Sequence, residues 1–403
     1  MSILQSKHIL LGVTGSIAAY KVVDLASKLT QAAAQVDVIL TPAAEKFVSA
    51  LTFESVTGRK AFTDADLWGG QAHVLHVGLG HSADLLVVAP CTANTLARLA
   101  HGLADNLLTI TALAARCPIL VAPAMDVGMY ENTATQENVR LLTERGLIFA
   151  GPEEGRMASG LVGRGRFIEP GDLLGHIRLV LGRKGRLAGR RIVITAGGTR
   201  EPLDPVRILT NLSSGKQGYA LAQAALDNGA EVVLISTPTG LTPPVGARLV
   251  AASSAAEMQA AVLEQSAGAD VLIMAAAVAD FRPKRVAGDK LKKRDGPPVL
   301  ELEATTDILL AVSKMGKPRP QIVIGFAAES RDLLENAAEK LKSKRLDMIA
   351  ANDISAADSG FHVDTNRVTL LYADGHNEAL PLISKSEVAE ILLERSADLL
   401  ENG

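Results

Sequence analysis

Two stretches of this chain combine the residue types that bind and activate anions. In AGGTREPLDPVRILTNLSSGKQG, residues 196–218, an apolar run ends in glycines, crosses a polar loop and enters helical spacing after Ser213, Ser214, Gly215 and Lys216. Free backbone N–H groups at a helix start and a lysine point charge can meet phosphate, while Arg200 and Arg207 can pair bidentately with phosphate or carboxylate. The GxxxxGK[ST] spacing of an ordinary P-loop is absent. In MAAAVADFRPKRVAGDKLKK, residues 274–293, small residues (Met274, Ala275, Ala276) are followed by Asp280 and a basic stretch around Lys290. Small side chains let a planar base or ribose approach closely, and Asp280 can bind a hydroxyl, an amino group or Mg2+. Lys290, Lys292 and Lys293 can close over a triphosphate. The bland alternative for both stretches is a solvated, basic surface loop.

The N-terminal half carries a weaker version of the same device. In GVTGSIAAYK, residues 12–21, two glycines turn the backbone and a helix begins near Ser16, which leaves N–H groups aimed at an anion. The spacing Gly12, Gly15, Ala18 is not GxGxxG, which favours a single phosphate, such as that of FMN, over a pyrophosphate. Thr92 and Asn94 in APCTANTLARLAHGLADNLL and Thr41 at the end of VDVILT occupy strand ends, where open sheets present ligand contacts. Helix caps and a plain strand-to-helix turn would account for the same residues.

The elements that position these residues follow from hydrophobic period. HILLGV, VDVILT, DLLVVAP, PILVAPA and LIFAGP alternate with stretches of helical spacing, and the pattern restarts with RIVITAGG, EVVLIST, DVLIMAAA, QIVIGFAA and DMIAAND. Continuous apolar strands joined by helices predict parallel sheets covered on both faces. The expected fold is α/β, with two doubly wound, Rossmann/flavodoxin-like domains at residues 1–182 and 190–403 and a basic, glycine-containing linker at 183–189. A composition that is 48% hydrophobic with few aromatics suits that class. A net charge of −3 with interspersed signs gives no field for nucleic acid or an anionic membrane. Two cysteines, Cys91 and Cys117, make no disulfide framework, and the first apolar run is too short for an export signal or a bilayer span, so the cytoplasm is the expected location.

Together with PAMDVGMY at 123–130, the N-terminal segments resemble the flavin-containing cysteine decarboxylases, and specifically the N-terminal half of the bifunctional phosphopantothenoylcysteine decarboxylase/phosphopantothenate–cysteine ligase family. The resemblance covers about residues 1–180. It implies FMN held by Gly15, Ser16, Thr41, Thr92 and Asn94, a catalytic histidine at His76 in HVGLGHSAD, and a substrate-binding motif containing Met125. In that family the substrate thiol is oxidised on the flavin, CO2 leaves, and the enethiol is reduced and protonated. Two positions depart from the family pattern: Asp126 stands where Asn binds the substrate carboxylate, and Ser159, in GRMASGLVGRGR, stands where a flap cysteine donates a proton.

Residues 188–396 are similar to phosphopantothenate–cysteine ligases through the two basic stretches, TTDILLAV, GFAAES, EKLKSKRLD and ANDIS. The resemblance implies attack of the 4′-phosphopantothenate carboxylate on the α-phosphate of CTP, followed by displacement of CMP by the cysteine amine. Asn211 would hold the acyl-phosphate carbonyl and Arg207 the substrate. Ser213, Gly215, Lys216, Met274, Ala275, Ala276, Asp280, Lys290, Phe326, Lys340 and Lys344 would contact CTP, with Mg2+ on Asp280. Thr305, Thr306, Asp307 and Ile308 would also contact CTP, matching the family's Asn-Pro-Asp-Ile only in Asp307 and Ile308. Trimeric flavin domains and dimeric ligase domains are implied too, hence a homo-oligomer as large as a dodecamer. Asp126 and Ser159 leave open a monofunctional ligase with a catalytically altered flavin domain. An NAD-dependent reductase would fit the fold, but GxGxxG and an acidic ribose residue at the required distance are missing.

Overall fold

The apolar runs form the strands of two parallel-sheet cores in a computed structural model that describes residues 3–68, 74–293, 296–329, 333–353 and 363–402. The chain divides into two compact units, Met1–Leu181 and Gly182–Gly403. In the first unit, β1 (His8–Val13), β2 (Gln35–Leu40), β3 (Ala61–Phe62), β4 (Leu85–Cys91), β5 (Ile119–Pro123) and β6 (Ile148–Phe149) form one parallel sheet in the order 3-2-1-4-5-6. The order reverses between β1 and β4, and a doubly wound sheet opens its ligand crevice at such a switch point. Helices such as Ala19–Gln31 and Leu107–Ala114 cover the two faces. Separate cores therefore form on either side, one around Leu11, Leu25 and Phe53 and the other around Leu10, Leu96 and Leu108.

A hairpin outside this sheet, β7 (Glu153–Arg156) and β8 (Val162–Arg166), was not legible as strands, because EEGR and VGRGR carry no apolar alternation. Its backbone docks instead. Gly165 takes φ 153° and its carbonyl accepts from Met125 N at 3.0 Å. A Cβ at Gly165 would lie 2.4 Å from the Met125 carbonyl oxygen, so only glycine lets the hairpin approach the PAMD loop this closely.

The second unit repeats the plan. β9 (Arg191–Ala196) leads to a small hairpin, β10 (Arg200–Pro202) and β11 (Ile208–Thr210). Then come β12 (Glu231–Ser236), β13 (Arg248–Ala251), β14 (Val271–Met274), a second hairpin of β15 (Phe281–Pro283) and β16 (Leu302–Ala304), β17 (Ile322–Glu329) and β18 (Met348–Asp353). After β19 (Thr365–Asn366), β20 (Val368–Tyr372) and β21 (Asn377–Ala379) extend the main sheet, and β22 (Ile383–Ser384) pairs with β19. The main sheet runs 13-12-9-14-17-18-20-21, and its switch point lies between β9 and β14. The expected α/β fold with two doubly wound units is present. It differs in one respect: β20 and β21 are antiparallel at one edge. The Asp374-Gly375 turn permits this, with Gly375 at φ 92°.

Candidate functional site

At the C-terminal ends of β1 and β4 lies a cavity of about 480 Å³ lined by Gly15, Ser16, Lys21, Thr92, Met125, Asp126, Arg156, Met157, Ser159 and Arg166, among others. Ser16 precedes the helix Ala19–Gln31, and its Oγ accepts from Ala18 N at 3.3 Å. No side chain caps that helix, so its first turn keeps the positive end of its dipole towards the cavity. Thr92 caps the helix Ala93–His101 by accepting from Thr95 N, 3.3 Å. Lys21 pairs with Glu169 at 2.8 Å and Arg166 pairs with the same carboxylate. The Lys21 hydrogen bond holds Glu169 below the usual carboxylate range, against a smaller opposing effect of burial.

The two residues that depart from the family pattern touch each other. Ser159 Oγ donates to Asp126 Oδ2 at 2.6 Å, and Asp126 Oδ1 accepts from Gly128 N at 3.2 Å, capping the helix Val127–Glu131. Both carboxylate oxygens thus act as acceptors. Neither cysteine replaces the missing flap thiol. Cys91 is wholly buried in β4, with burial pushing its thiol pKa upward, and burial raises that of Cys117 as well.

The second cavity, about 330 Å³, opens over the C-terminal ends of β9, β14, β17 and β18. The loops after β9 and β14 are stitched together: Ala276 N donates to Thr195 Oγ1 (3.0 Å), Ala277 N to the Gly197 carbonyl (2.8 Å) and Ala279 N to Thr199 Oγ1 (2.9 Å). Small side chains at 275–277 leave room that larger ones would fill. Gly215, at φ 80°, starts the helix Lys216–Asp227, and a Cβ there would come within 2.9 Å of Thr239 Cγ2. Lys344 pairs with Asp307 at 2.8 Å, and Lys216 with Asp364 at 2.6 Å. Burial opposes ionisation of Asp307, but the hydrogen bonds from Lys344 and Leu310 N outweigh it and hold its carboxyl below the usual range. Lys385, which also lines the cavity, has its pKa lowered by burial and by the neighbouring Lys216 charge.

Residues 2–181 match the flavoprotein family, and residues 187–399 match the DNA/pantothenate metabolism flavoprotein C-terminal domain. The coenzyme A biosynthesis bifunctional protein CoaBC of Bacillus subtilis (strain 168) is 46% identical over 98% of both chains, and that of Mycobacterium tuberculosis (strain ATCC 25618 / H37Rv) 44% identical over 96% of both. The chain belongs to this family of bifunctional coenzyme A biosynthesis proteins. It is an enzyme with ligase and decarboxylase activities, and nothing favours a monofunctional ligase. Among solved structures, the C-terminal domain of a CoaBC protein is 44% identical, with a TM-score of 0.47, covering 54% of this chain and all of that one. The FMN-dependent cysteine decarboxylase SpaF is 34% identical, with a TM-score of 0.39, covering 45% of this chain and 97% of that one.

Within this bifunctional enzyme the two cavities differ in how many expected residues they gather. The second collects Ser213, Gly215, Lys216, Met274, Ala275, Ala276, Asp280, Thr305, Thr306, Asp307, Ile308, Phe326, Lys340 and Lys344. Asn211 stands behind its wall, with Nδ2 donating to the Ala277 carbonyl at 2.8 Å. Arg207 and Lys290 are not in the lining. Arg207 instead binds Asp204 (3.3 Å) and the Leu291 carbonyl (3.0 Å), and Asp204 also accepts from Leu291 N, so the pair tethers the Lys290 segment to the β10–β11 hairpin. The first cavity gathers Gly15, Ser16, Thr92, Met125, Asp126 and Ser159. His76 lies half-buried on the helix Leu75–Ser82 and Asn94 is exposed on the helix Ala93–His101, both outside the lining. Thr41 is buried in a local turn, where its hydroxyl donates to the Val13 carbonyl. Residues not anticipated include Lys21, Arg156 and Arg166 in the first cavity and Asn352, Asn366 and Lys385 in the second. A polar Asn at the end of the apolar strand MIAAND was the available signal for Asn352.

Proposed function

We propose that the second unit joins cysteine to 4′-phosphopantothenate with CTP and that the first decarboxylates the product with FMN, giving 4′-phosphopantetheine. The observation that carries the ligase assignment is the convergence of an uncapped helix start at Gly215–Lys216, Asp280, Phe326, Lys340 and Lys344 on one cavity at a sheet switch point. The cationic groups neutralise a triphosphate and the pyrophosphate that leaves it, so the protein itself needs no nucleophile. The substrate carboxylate attacks the α-phosphate, forming an acyl-cytidylate and releasing pyrophosphate; the cysteine amine then attacks the acyl carbon and CMP departs. Asn211 and Arg207 serve the pantothenate arm, and Lys290 joins the triphosphate from its tethered segment. Among the described residues no three His, Cys, Asp or Glu side chains cluster as metal ligands. Mg2+ is therefore assigned to Asp280 and substrate phosphates, the usual division for this ion.

The first cavity suits FMN: about 480 Å³, a mainly apolar lining, and a helix start with Ser16 for one phosphate. Bound flavin supplies the two-electron oxidation of the substrate thiol and its reversal. Thr92 and Met125 border the ring, Asp126 and Ser159 the substrate, with Asn94 and Thr41 as outer contacts. His76 lies outside the cavity lining of its own chain, and Ile17, Tyr20 and Met129 at the cavity are exposed. Both facts support completion of the site by a second copy within a trimeric flavin core, and the family resemblance adds dimeric ligase units and a dodecamer. No helix among the described residues is long and apolar enough to cross a membrane, and the cytoplasm is the assigned location. Pyrophosphate release dependent on CTP, cysteine and 4′-phosphopantothenate together tests the ligase; a protein that releases none under any nucleotide refutes it.

A further inference from the structure

Two neighbouring hairpins rise from the switch point of the second unit, β10–β11 after strand β9 and β15–β16 after strand β14. Asp280 and Thr305, at the foot of β15–β16, line the cavity, and the connection between its strands, residues 284–301, carries Lys290. Among the described residues, every backbone hydrogen bond that this connection makes beyond its own hairpin goes to the β10–β11 turn. Ala287 N donates to the Leu203 carbonyl (3.0 Å), Leu291 N to Asp204 Oδ2 (3.1 Å), and the Leu291 carbonyl accepts from Arg207 Nη2 (3.0 Å). The exposed Lys290 therefore stands on a short arch between two fixed points, Ala287 and Leu291.

Asp204 makes this link with a side chain that has no exposed surface. Its two oxygens have different partners. Oδ1 accepts from Val206 N and Arg207 N, both at 2.8 Å, and so closes the turn in which Asp204 itself lies. Oδ2 accepts from Leu291 N and, at 3.3 Å, from Arg207 Nη1. Burial opposes ionisation, but the backbone donors and the Arg207 charge outweigh it and hold the carboxyl below its usual range. The turn needs only the first oxygen, which an asparagine would supply equally well. The second oxygen reaches a loop 87 residues away. Ordering an exposed loop sacrifices chain entropy that the turn does not require, so the link points to a use for the ordered loop.

We propose that Asp204 is a positioning residue for ligation: through Leu291 N it fixes the arch that presents Lys290 to the triphosphate. A cation stabilises a departing pyrophosphate only when it is held where the charge develops, and a lysine on a loose loop is elsewhere for most of the time. The link does not depend on Arg207 staying in place. When the guanidinium turns to substrate, the Leu291 N–H still meets Oδ2, so the loop stays set while Arg207 is engaged. The inference rests on the assignment of Lys290 to the triphosphate.

The test measures kcat and KM for CTP-dependent pyrophosphate release by the full-length protein. Lys290→Ala should lower kcat/KM for CTP by about 100-fold. Asp204→Asn keeps an oxygen for the turn but sets an amide NH2 against the Leu291 N–H, so it should break the link alone and lower kcat/KM for CTP by about tenfold, with the KM for cysteine unchanged. Leu291→Pro, which removes the same hydrogen bond from the loop side, should reproduce that loss. Adding Asp204→Asn to Lys290→Ala should cost no more than about a further twofold, because the two residues act through one group. Trypsin should cut after Lys290, Lys292 and Lys293 about tenfold faster in Asp204→Asn than in the parent. Parental kinetics and parental cleavage in Asp204→Asn would show that the carboxylate serves only its own turn and would overturn the inference. Full multiplication of the two losses in the double variant would overturn it as well. A Lys290→Ala protein as active as the parent removes Lys290 from the triphosphate and takes the inference with it, an outcome distinct from an essential Lys290 whose position Asp204 does not affect.

Discussion

The two cavities occupy equivalent places, each at the switch point of a sheet whose parallel strands follow one winding plan, yet they are built differently. In the second, nearly every polar group comes from strand ends and helix starts of one unit, fixed by the sheet itself. In the first, much of the lining comes from appended pieces: the PAMD loop and the β7–β8 hairpin that carries Ser159. A scaffold can place phosphate-binding groups by its topology alone. Asp126 and Ser159, the two residues that depart from the family pattern, both lie on these appended pieces.

The largest separation of the two halves is expected from charge. Lys216→Ala and Asp280→Asn should each lower ligation by about 100-fold, the first by removing a cation proposed to meet the phosphates and the second by weakening the carboxylate proposed to hold Mg2+. CO2 release from supplied phosphopantothenoylcysteine should be unchanged in both. Parallel rate assays check this, and equal losses in the two activities would mean that the cavities do not work separately.

Gly165→Ala sharpens the same contrast from the other side. The added Cβ would strike the Met125 carbonyl. Lifting the hairpin off the PAMD loop should lower decarboxylation by about tenfold and cost about 1–3 kcal/mol of local stability, with ligation intact. Decarboxylation kinetics and amide exchange of residues 153–166 measure it.

A smaller effect is expected at Ser159. Its hydroxyl donates to Asp126, which is also held by Gly128 N, so the serine and the carboxyl group fix each other in place. Ser159→Ala should reduce CO2 release by less than about tenfold, because a hydroxyl is a poor acid, and Ser159→Cys should raise it. A loss of several hundredfold in Ser159→Ala would make the serine a principal acid.

The smallest effect is on stability. Asp37 accepts from His8 Nε2 at 2.6 Å and from Arg59 Nε at 2.6 Å. Burial opposes ionisation of Asp37, but these hydrogen bonds win and hold its pKa at about 2. This group is only 8% exposed, so the shift from 3.8 is worth about 2 kcal/mol, present above about pH 4 and lost as pH falls towards 2. The hydrogen bond to Asp37 raises the pKa of His8, outweighing burial. Its contribution is full below the unfolded value near 6.5 and is lost as pH rises through the folded one. Melting of Asp37→Asn against pH should be flatter than that of the parent at both ends.

Much of this architecture was legible because buried parallel strands write themselves as unbroken apolar runs. The glycines at 12, 15, 197 and 215 marked the turns at both switch points. The β7–β8 hairpin was not legible: its residues are polar and glycine-rich, and it is held by backbone contacts to Met125, which leave no side-chain period. The hydrogen bonds that link Gln217 to the Lys385 carbonyl, Asn366 to Gln217 and Asn352 to Asn366 were hidden for a different reason. Their partners lie 14 to 168 residues apart and meet only once the fold brings them together. In contrast to those scattered residues, the lysines at 340 and 344 could be paired in advance, because one helical turn separates them.

The most direct test of the central claim, two reactions in two separate cavities, is CO2 release from phosphopantothenoylcysteine without CTP, measured on the FMN-loaded parent and on Lys216→Ala. Equal release from both, with ligation lost only in the variant, is the predicted result. Release that requires CTP, or that disappears with Lys216, would contradict it.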